Sequence, residues 1–309
     1  KNVLKMKALL FPGQGSQIVG MGSEFHKNYK EVKDIFAEAD EVLNFKISKI
    51  ILEGPESDLK LTENTQPSIL IVSYAIYKIM IEKFGFNFNQ FKYFAGHSLG
   101  EYSALLCSES LNFKDALYLL RERGKAMQQA VPVGKGAMLA VLNTQMKEIK
   151  KHISEIKKKG VCEIANDNSD GQIIVSGNSD LIGDLQNILK INKKKSILLP
   201  VSAPFHCSLM KEASEKMRVK INTVNFNNPK LQIISNVTAS PETDKEKIKK
   251  LLVEQIYTKV RWRESILFMI SNGIDEFIEI GPGKVLSGLV RRINKDCKST
   301  SVNSIENIK

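Results

Sequence analysis

A mostly apolar run, interrupted only by Lys7, covers residues 6–11 and ends at Pro12-Gly13-Gln14-Gly15. A run this short, closed by turn residues, predicts a strand buried on both faces. A longer apolar stretch over 67–84 predicts a helix. A second strand is expected at 91–95, then a sharp turn at 96–100 and helices over 101–108 and 114–130. Short buried strands alternating with amphipathic helices predict an α/β fold around a parallel sheet.

The middle of the chain has a different rhythm. Strand-like runs at 136–142, 161–165, 172–176 and 196–201 are interleaved with helical patterns at 144–158 and 179–191. The stretch Asn166-Asp167-Asn168-Ser169-Asp170-Gly171 reads as the turn between the two central strands. That β-α-β-β-α-β order is ferredoxin-like. The expected architecture is therefore a parallel-sheet α/β domain over 1–132 and 203–309, with a small ferredoxin-like α+β domain inserted at 133–202. After the insertion the α/β pattern resumes. Helices are expected at 210–219, 248–256 and 262–272, strands at 231–235 and 276–280, and a last helix from about residue 283.

Composition narrows the class. The 309 residues are 42% hydrophobic and 26% charged, enough apolar content for a packed core and against a disordered chain. No apolar run approaches the roughly 20 residues of a membrane span, so no membrane role is expected. The net charge is +11, and only seven of the 45 basic residues are arginine. A lysine-rich surface either meets an acidic partner or is simply well solvated. Cys107, Cys162, Cys207 and Cys297 form no CxxC pair, so free thiols are expected rather than a zinc ribbon or a redox pair. The chain starts at Lys1. With its Lys/Asn/Ile-rich composition, this suits a mature protein of a plastid-type organelle that has lost a transit segment, or else a bacterial cytoplasmic protein.

The strongest chemical signal is Gly96-His97-Ser98-Leu99-Gly100 between a strand and a helix. It fits a nucleophile elbow, in which Cβ atoms two residues either side of the serine would clash as the chain reverses. The helix following Ser98 aims its N–H groups at developing negative charge. The alternative is a tight turn whose glycines serve packing alone. A serine nucleophile needs a base. Of the four histidines, His97 adjoins Ser98 and should point elsewhere, supporting the elbow. His26 and His152 fall on polar, lysine-flanked helices and read as surface residues. His206, in the loop Ala203-Pro204-Phe205-His206-Cys207, is the best candidate base by elimination; the alternative is an ordinary loop histidine. Arg123 falls beside the apolar stripe of Leu117, Leu120, Gly124 and Met127, whereas Arg121 falls on the polar side. An inward guanidinium needs an anion, either a structural carboxylate or one on a substrate.

Other motifs fail. Gly13-x-Gly15 lacks the third glycine of a dinucleotide fingerprint, and there is no P-loop. The turn after the first strand can instead offer a backbone N–H to an oxyanion. Gly281-Pro282-Gly283-Lys284 reads as a strand-to-helix turn.

Taken in order, Phe11-Pro12-Gly13-Gln14-Gly15-Ser16-Gln17, Gly96 to Tyr102, Arg123-Gly124, Pro204 to Met210 and Glu279 to Leu286 resemble the malonyl-CoA:acyl carrier protein transacylases of type II fatty acid synthesis. The resemblance spans nearly the whole chain. It implies a malonyl-serine intermediate on Ser98, with His206 as proton carrier and backbone N–H groups of Gln17 and Leu99 as the oxyanion hole. It further implies Arg123 as the malonyl carboxylate ligand and Gln255 as the residue whose carbonyl orients the histidine. Asn166 and Asn168 match a loop near that family's active site, and Phe205 fits members that take malonyl rather than methylated substrates. The implied partners are a CoA thioester and an acidic acyl carrier protein, with no cofactor, no metal and a monomeric state. Two competing readings are a serine esterase or thioesterase built on the same elbow, and a basic nucleic-acid binder. The latter needs clustered basic and aromatic residues. Here the lysines are dispersed and Trp262 is the only tryptophan.

Overall fold

The computed structural model describes residues 5–308. Lys1, on which the expectation of a lost leader rests, lies outside them. Two sheets organise the chain. The larger has six strands in the order β10-β9-β1-β2-β7-β8. These are β1 Lys7–Phe11, β2 Phe91–Gly96, β7 Gln232–Ile234, β8 Pro241–Glu242, β9 Glu276–Ile280 and β10 Lys298–Val302. All neighbours run parallel except the β7–β8 pair. The smaller sheet is antiparallel, in the order β4-β5-β3-β6, with β3 Gly136–Leu142, β4 Cys162–Ser169, β5 Gln172–Asn178 and β6 Lys195–Leu198. With helices Met146–Ser154 and Ser179–Ile191 between its strands, this is the ferredoxin-like arrangement.

Alternation along the strands builds three cores. In β1, Leu9 and Phe11 join one core while Ala8 and Leu10 join the core on the opposite face. In the small sheet, Leu139, Val141 and Val175 pack under their own helices. Met138, Ala140 and Ile174, on the other face, join the main core. The small sheet is thereby cemented to the large one. Asp167 N–H bonds to the Val260 carbonyl at 3.0 Å, and Val260 N–H returns to Ala165 at 2.8 Å. Arg263 grips the carboxylate of Asp167 with two nitrogens, Nη2 at 2.9 Å and Nε at 3.1 Å.

Several expectations change. The residues expected as a turn at 166–171 are mostly strand, and only Asp170-Gly171 turn the chain. Turn propensity loses to tertiary partners: the buried Asp167 has Arg263, and the backbone pairs with Val260. The helix expected from Pro67 starts at Thr62, with Pro67 inside it. Proline leaves the carbonyl four residues back without its helical donor. Here that carbonyl belongs to Glu63, and Nη1 of Arg121 donates to it at 3.1 Å. Arg121 is therefore committed rather than solvated, and it also lies over the Phe45 ring. His152, expected at the surface, is buried beside Ile149 on the inner side of its helix. Strand β10 was not expected at all. Its sequence, KSTSV, is polar and its burial partial, as suits an edge strand. Among the described residues, no helix is long and apolar enough to cross a membrane.

Candidate active site

β1 and β2 pair in parallel, with Phe11 opposite Gly96, so their carboxyl ends meet. Ligand crevices of open α/β sheets form at such ends. Immediately past β2, Ser98 takes the left-handed conformation, φ +55°. The flanking glycines are obligatory. A Cβ on Gly96 would lie 1.9 Å from the Gly100 carbonyl group, and one on Gly100 would lie 2.2 Å from the Phe11 oxygen. The elbow is therefore strained, tightly packed and backed by the Gly100–Cys107 helix.

His206 arrives from the far side of the sequence, in the loop before the Lys211–Asn222 helix, and also has φ +57°. Its Nε2 lies 2.8 Å from Ser98 Oγ, and its Nδ1 lies 2.8 Å from the carbonyl oxygen of Gln255. A carbonyl only accepts, so Nδ1 carries the proton and Nε2 presents its lone pair to the serine hydroxyl. Burial, then the charge of Arg123, pushes the His206 pKa down to about 3. The ring is neutral at physiological pH, with its Nε2 lone pair facing the serine hydroxyl.

Arg123 is completely buried. Its Nη1 donates to Gln66 Oε1 at 2.8 Å, and its Nη2 donates to Gln255 Oε1 at 2.7 Å and to Ser98 Oγ at 3.2 Å. Its Nε has no partner among the described residues, and the Tyr102 ring centroid lies 5.6 Å from the guanidinium carbon. Among the described residues no carboxylate pairs with it within 4 Å. Glu101 is the nearby acid, and burial pushes its pKa up to about 8, so it is protonated at neutral pH. The open question of the sequence, structural anion or substrate anion, thus meets a cation held by neutral amides.

A cleft of about 230 Å³ lies over these groups, between the elbow, the Gly13–Ser16 turn and the small sheet. Its walls include Leu99, Asn166, Asn168 and Phe205. The backbone N–H groups of Leu99 and Gln17 make no hydrogen bond among the described residues. The Gln17 side chain accepts from Gly15 N–H at 2.7 Å. His97 does point away from the serine. Its Nε2 meets Asn168 Oδ1 at 2.7 Å and its ring packs on Trp262. Asn166 sits on the backbone bridge to Val260.

Sequence reasoning missed two buried amides, Gln66 and Asn236. Asn236 follows a strand, and position at a strand's carboxyl end was the signal that could have found it. It also missed Glu163, whose carboxylate accepts from Ser208 N–H at 2.9 Å and Ser208 Oγ at 2.6 Å, pinning the His206 loop to the small sheet.

The trapped proton on Glu101 has a consequence for stability. Its folded pKa lies above the usual 4.5, so the unfolded chain ionises first as pH rises. Its contribution is intact below pH 4.5 and is lost progressively up to about pH 8. Glu101→Gln keeps an acceptor for the Asn236 N–H that Glu101 now receives. Its melting temperature is expected to match wild type below pH 4.5 and to exceed it at pH 8. Parallel melting curves at all pH values would contradict this.

A serine hydroxyl that donates to a neutral imidazole, while unspent N–H groups flank the cleft, defines an α/β enzyme that takes up an acyl group on oxygen. The chain belongs to the acyl transferase family, whose acyl transferase domain matches residues 8–306, and it is an acyltransferase. The malonyl CoA-acyl carrier protein transacylase of Bacillus subtilis is 44% identical over 303 residues, covering 97% of this chain and 94% of that protein. Its Escherichia coli K12 counterpart is 38% identical, covering 96% and 95%. The crystal structure of an acyl-carrier-protein S-malonyltransferase from Bartonella henselae matches with a TM-score of 0.95 at 43% identity, covering 98% of this chain and 97% of that one. A malonyl-transacylase solved in complex with its type II PKS acyl carrier protein matches with a TM-score of 0.95 at 37% identity, covering 98% and 97%.

Proposed function

We propose that the protein moves a malonyl group from malonyl-CoA to the phosphopantetheine thiol of an acyl carrier protein. The observation that carries this reading is Arg123, a buried guanidinium with no carboxylate partner among the described residues, 3.2 Å from Ser98 Oγ. A carboxylated acyl group supplies the missing anion.

His206 Nε2 takes the proton of Ser98 as Oγ bonds to the thioester carbon. The oxyanion is held by the N–H groups of Leu99 and Gln17. When the intermediate collapses, the carbon–sulfur bond breaks and the imidazolium gives its proton to the CoA sulfur. The carrier thiol then loses its proton to His206 and attacks the serine ester. The carbon–oxygen bond breaks, and Ser98 recovers the proton. The Gln255 carbonyl keeps the imidazole in the required tautomer, in the place where an aspartate often stands. The thioester brings its own activation, so the scheme calls for no metal or organic cofactor. Asn168 steadies His97, and Asn166 lines the wall. We assign residues 133–202 as the subdomain that roofs the cleft, on a catalytic body of 1–132 and 203–309. The +11 charge suits both an acidic carrier and the phosphates of CoA.

Loading the enzyme with radiolabelled malonyl-CoA and then adding holo carrier protein tests the reading. Label is expected to pass to the carrier much faster than to water. Equal or faster hydrolysis would favour the esterase reading instead.

A further inference from the structure

An elbow serine has its own backbone N–H close to the reacting carbon, and that group must be either free or engaged. Here it is engaged. Asn236 Oδ1 accepts the Ser98 N–H at 2.8 Å. The Nδ2 of the same amide donates to the Gly96 carbonyl at 2.8 Å. One side chain thus ties both sides of the turn, and only one amide orientation serves, because Gly96 offers an acceptor and Ser98 a donor. Asn236 is 1% exposed. Its N–H donates to the Glu101 carboxyl, and its carbonyl accepts from Arg261 N–H at 3.0 Å.

Asn236 also reaches the base. Gln255 Nε2 donates to Asn236 Oδ1 at 3.2 Å and to the Ser98 carbonyl at 3.0 Å, while the Gln255 carbonyl holds His206. Nucleophile and base are therefore registered through one amide–amide contact. A left-handed non-glycine residue persists only where surroundings over-determine it. Asn236 is the group that does so at Ser98.

We propose that Asn236 is a positioning residue of the acyl transfer. It clamps the strained elbow and consumes the Ser98 N–H, leaving the Leu99 and Gln17 N–H groups as the donors to an oxyanion. This rests on Ser98 being the acyl acceptor.

The test uses the full chain and the variants Asn236→Asp and Asn236→Ala. Asparagine and aspartate share a shape, but the carboxylate loses the donor to Gly96. Two rates are measured: single-turnover acylation by malonyl-CoA, and phosphonylation of Ser98 by a fluorophosphonate. Both are expected to fall about 100-fold, as misplacement of reacting groups does. Malonyl-CoA affinity should change far less than either rate. A purely structural role would instead lower the melting temperature and the fraction labelled, with an unchanged rate in that fraction, and this would overturn the proposal. Amide hydrogen exchange on the wild type gives an answer that no variant's folding can obscure. The Ser98 amide should be protected throughout, and the Leu99 amide should gain protection on phosphonylation. A fast-exchanging Ser98 amide would overturn the proposal. If the wild type takes label elsewhere than Ser98, the functional reading fails, not the clamp alone.

Discussion

Ser98→Ala is expected to remove covalent malonyl labelling entirely and to lower kcat/KM for transfer by about 10,000-fold or more. The variant loses the hydroxyl that faces the base, His206 Nε2 lying 2.8 Å from Ser98 Oγ. His206→Ala should approach the same floor, because the two groups act as a unit. The double variant should then be hardly worse than either single one. Mass spectrometry of the loaded enzyme and steady-state transfer to holo carrier protein measure both effects. Label surviving Ser98→Ala would sink the assignment. The pH profile offers a separate check. With the His206 pKa pushed down to about 3, the rate should show no acid limb near the usual histidine value of 6.5. Activity should hold well below that pH, until the imidazole protonates or the protein unfolds.

Arg123→Ala is expected to cost about 100-fold or more in kcat/KM for malonyl-CoA, while acetyl-CoA loses much less. The reason is asymmetric. A site built around a buried cation loses little on an uncharged acyl group, which never satisfied it, and loses a charge-assisted contact on a charged one. The ratio of the two specificity constants is the readout, since it cancels damage common to both. An unchanged ratio would argue against a carboxylate ligand. The same substitution removes the second-largest cause of the low His206 pKa. The acid limb should therefore move upward, which a loss of packing alone would not produce. On the proposed reading, a malonyl carboxylate on Arg123 would offset the same charge, so an anionic substrate would also make a better base of His206.

The elbow was legible in the sequence because everything that makes it is local. A strand, glycines two residues either side of the serine and a helix fit within about twenty positions, and sterics demand those glycines. The inward face of Arg123 was legible for a similar reason, since 100° per residue places it beside Leu120 and Met127. The polar network around these groups was not legible in the same way. Gln66, Asn236 and Glu163 lie 32, 138 and 65 positions from Ser98 in sequence. Nothing near them in the chain announces a hydrogen-bond partner. The reading of the Asn166–Gly171 stretch failed for a related reason, as its local turn chemistry was outvoted by Arg263 and Val260. So did the helix start at Pro67, because the donor that repairs the Glu63 carbonyl comes from Arg121.

The sequence by itself determined the α/β class, the ferredoxin-like insertion and the glycine-flanked serine turn. These follow from periodicity and backbone sterics, which act between near neighbours along the chain. Only the tertiary structure decided which amides hold Arg123 in place of a carboxylate, which amide takes up the Ser98 N–H, and which carboxylate pins the His206 loop. Those depend on donors and acceptors from distant segments meeting at hydrogen-bond distance in a buried site, where each polar group must find a partner or pay for its absence.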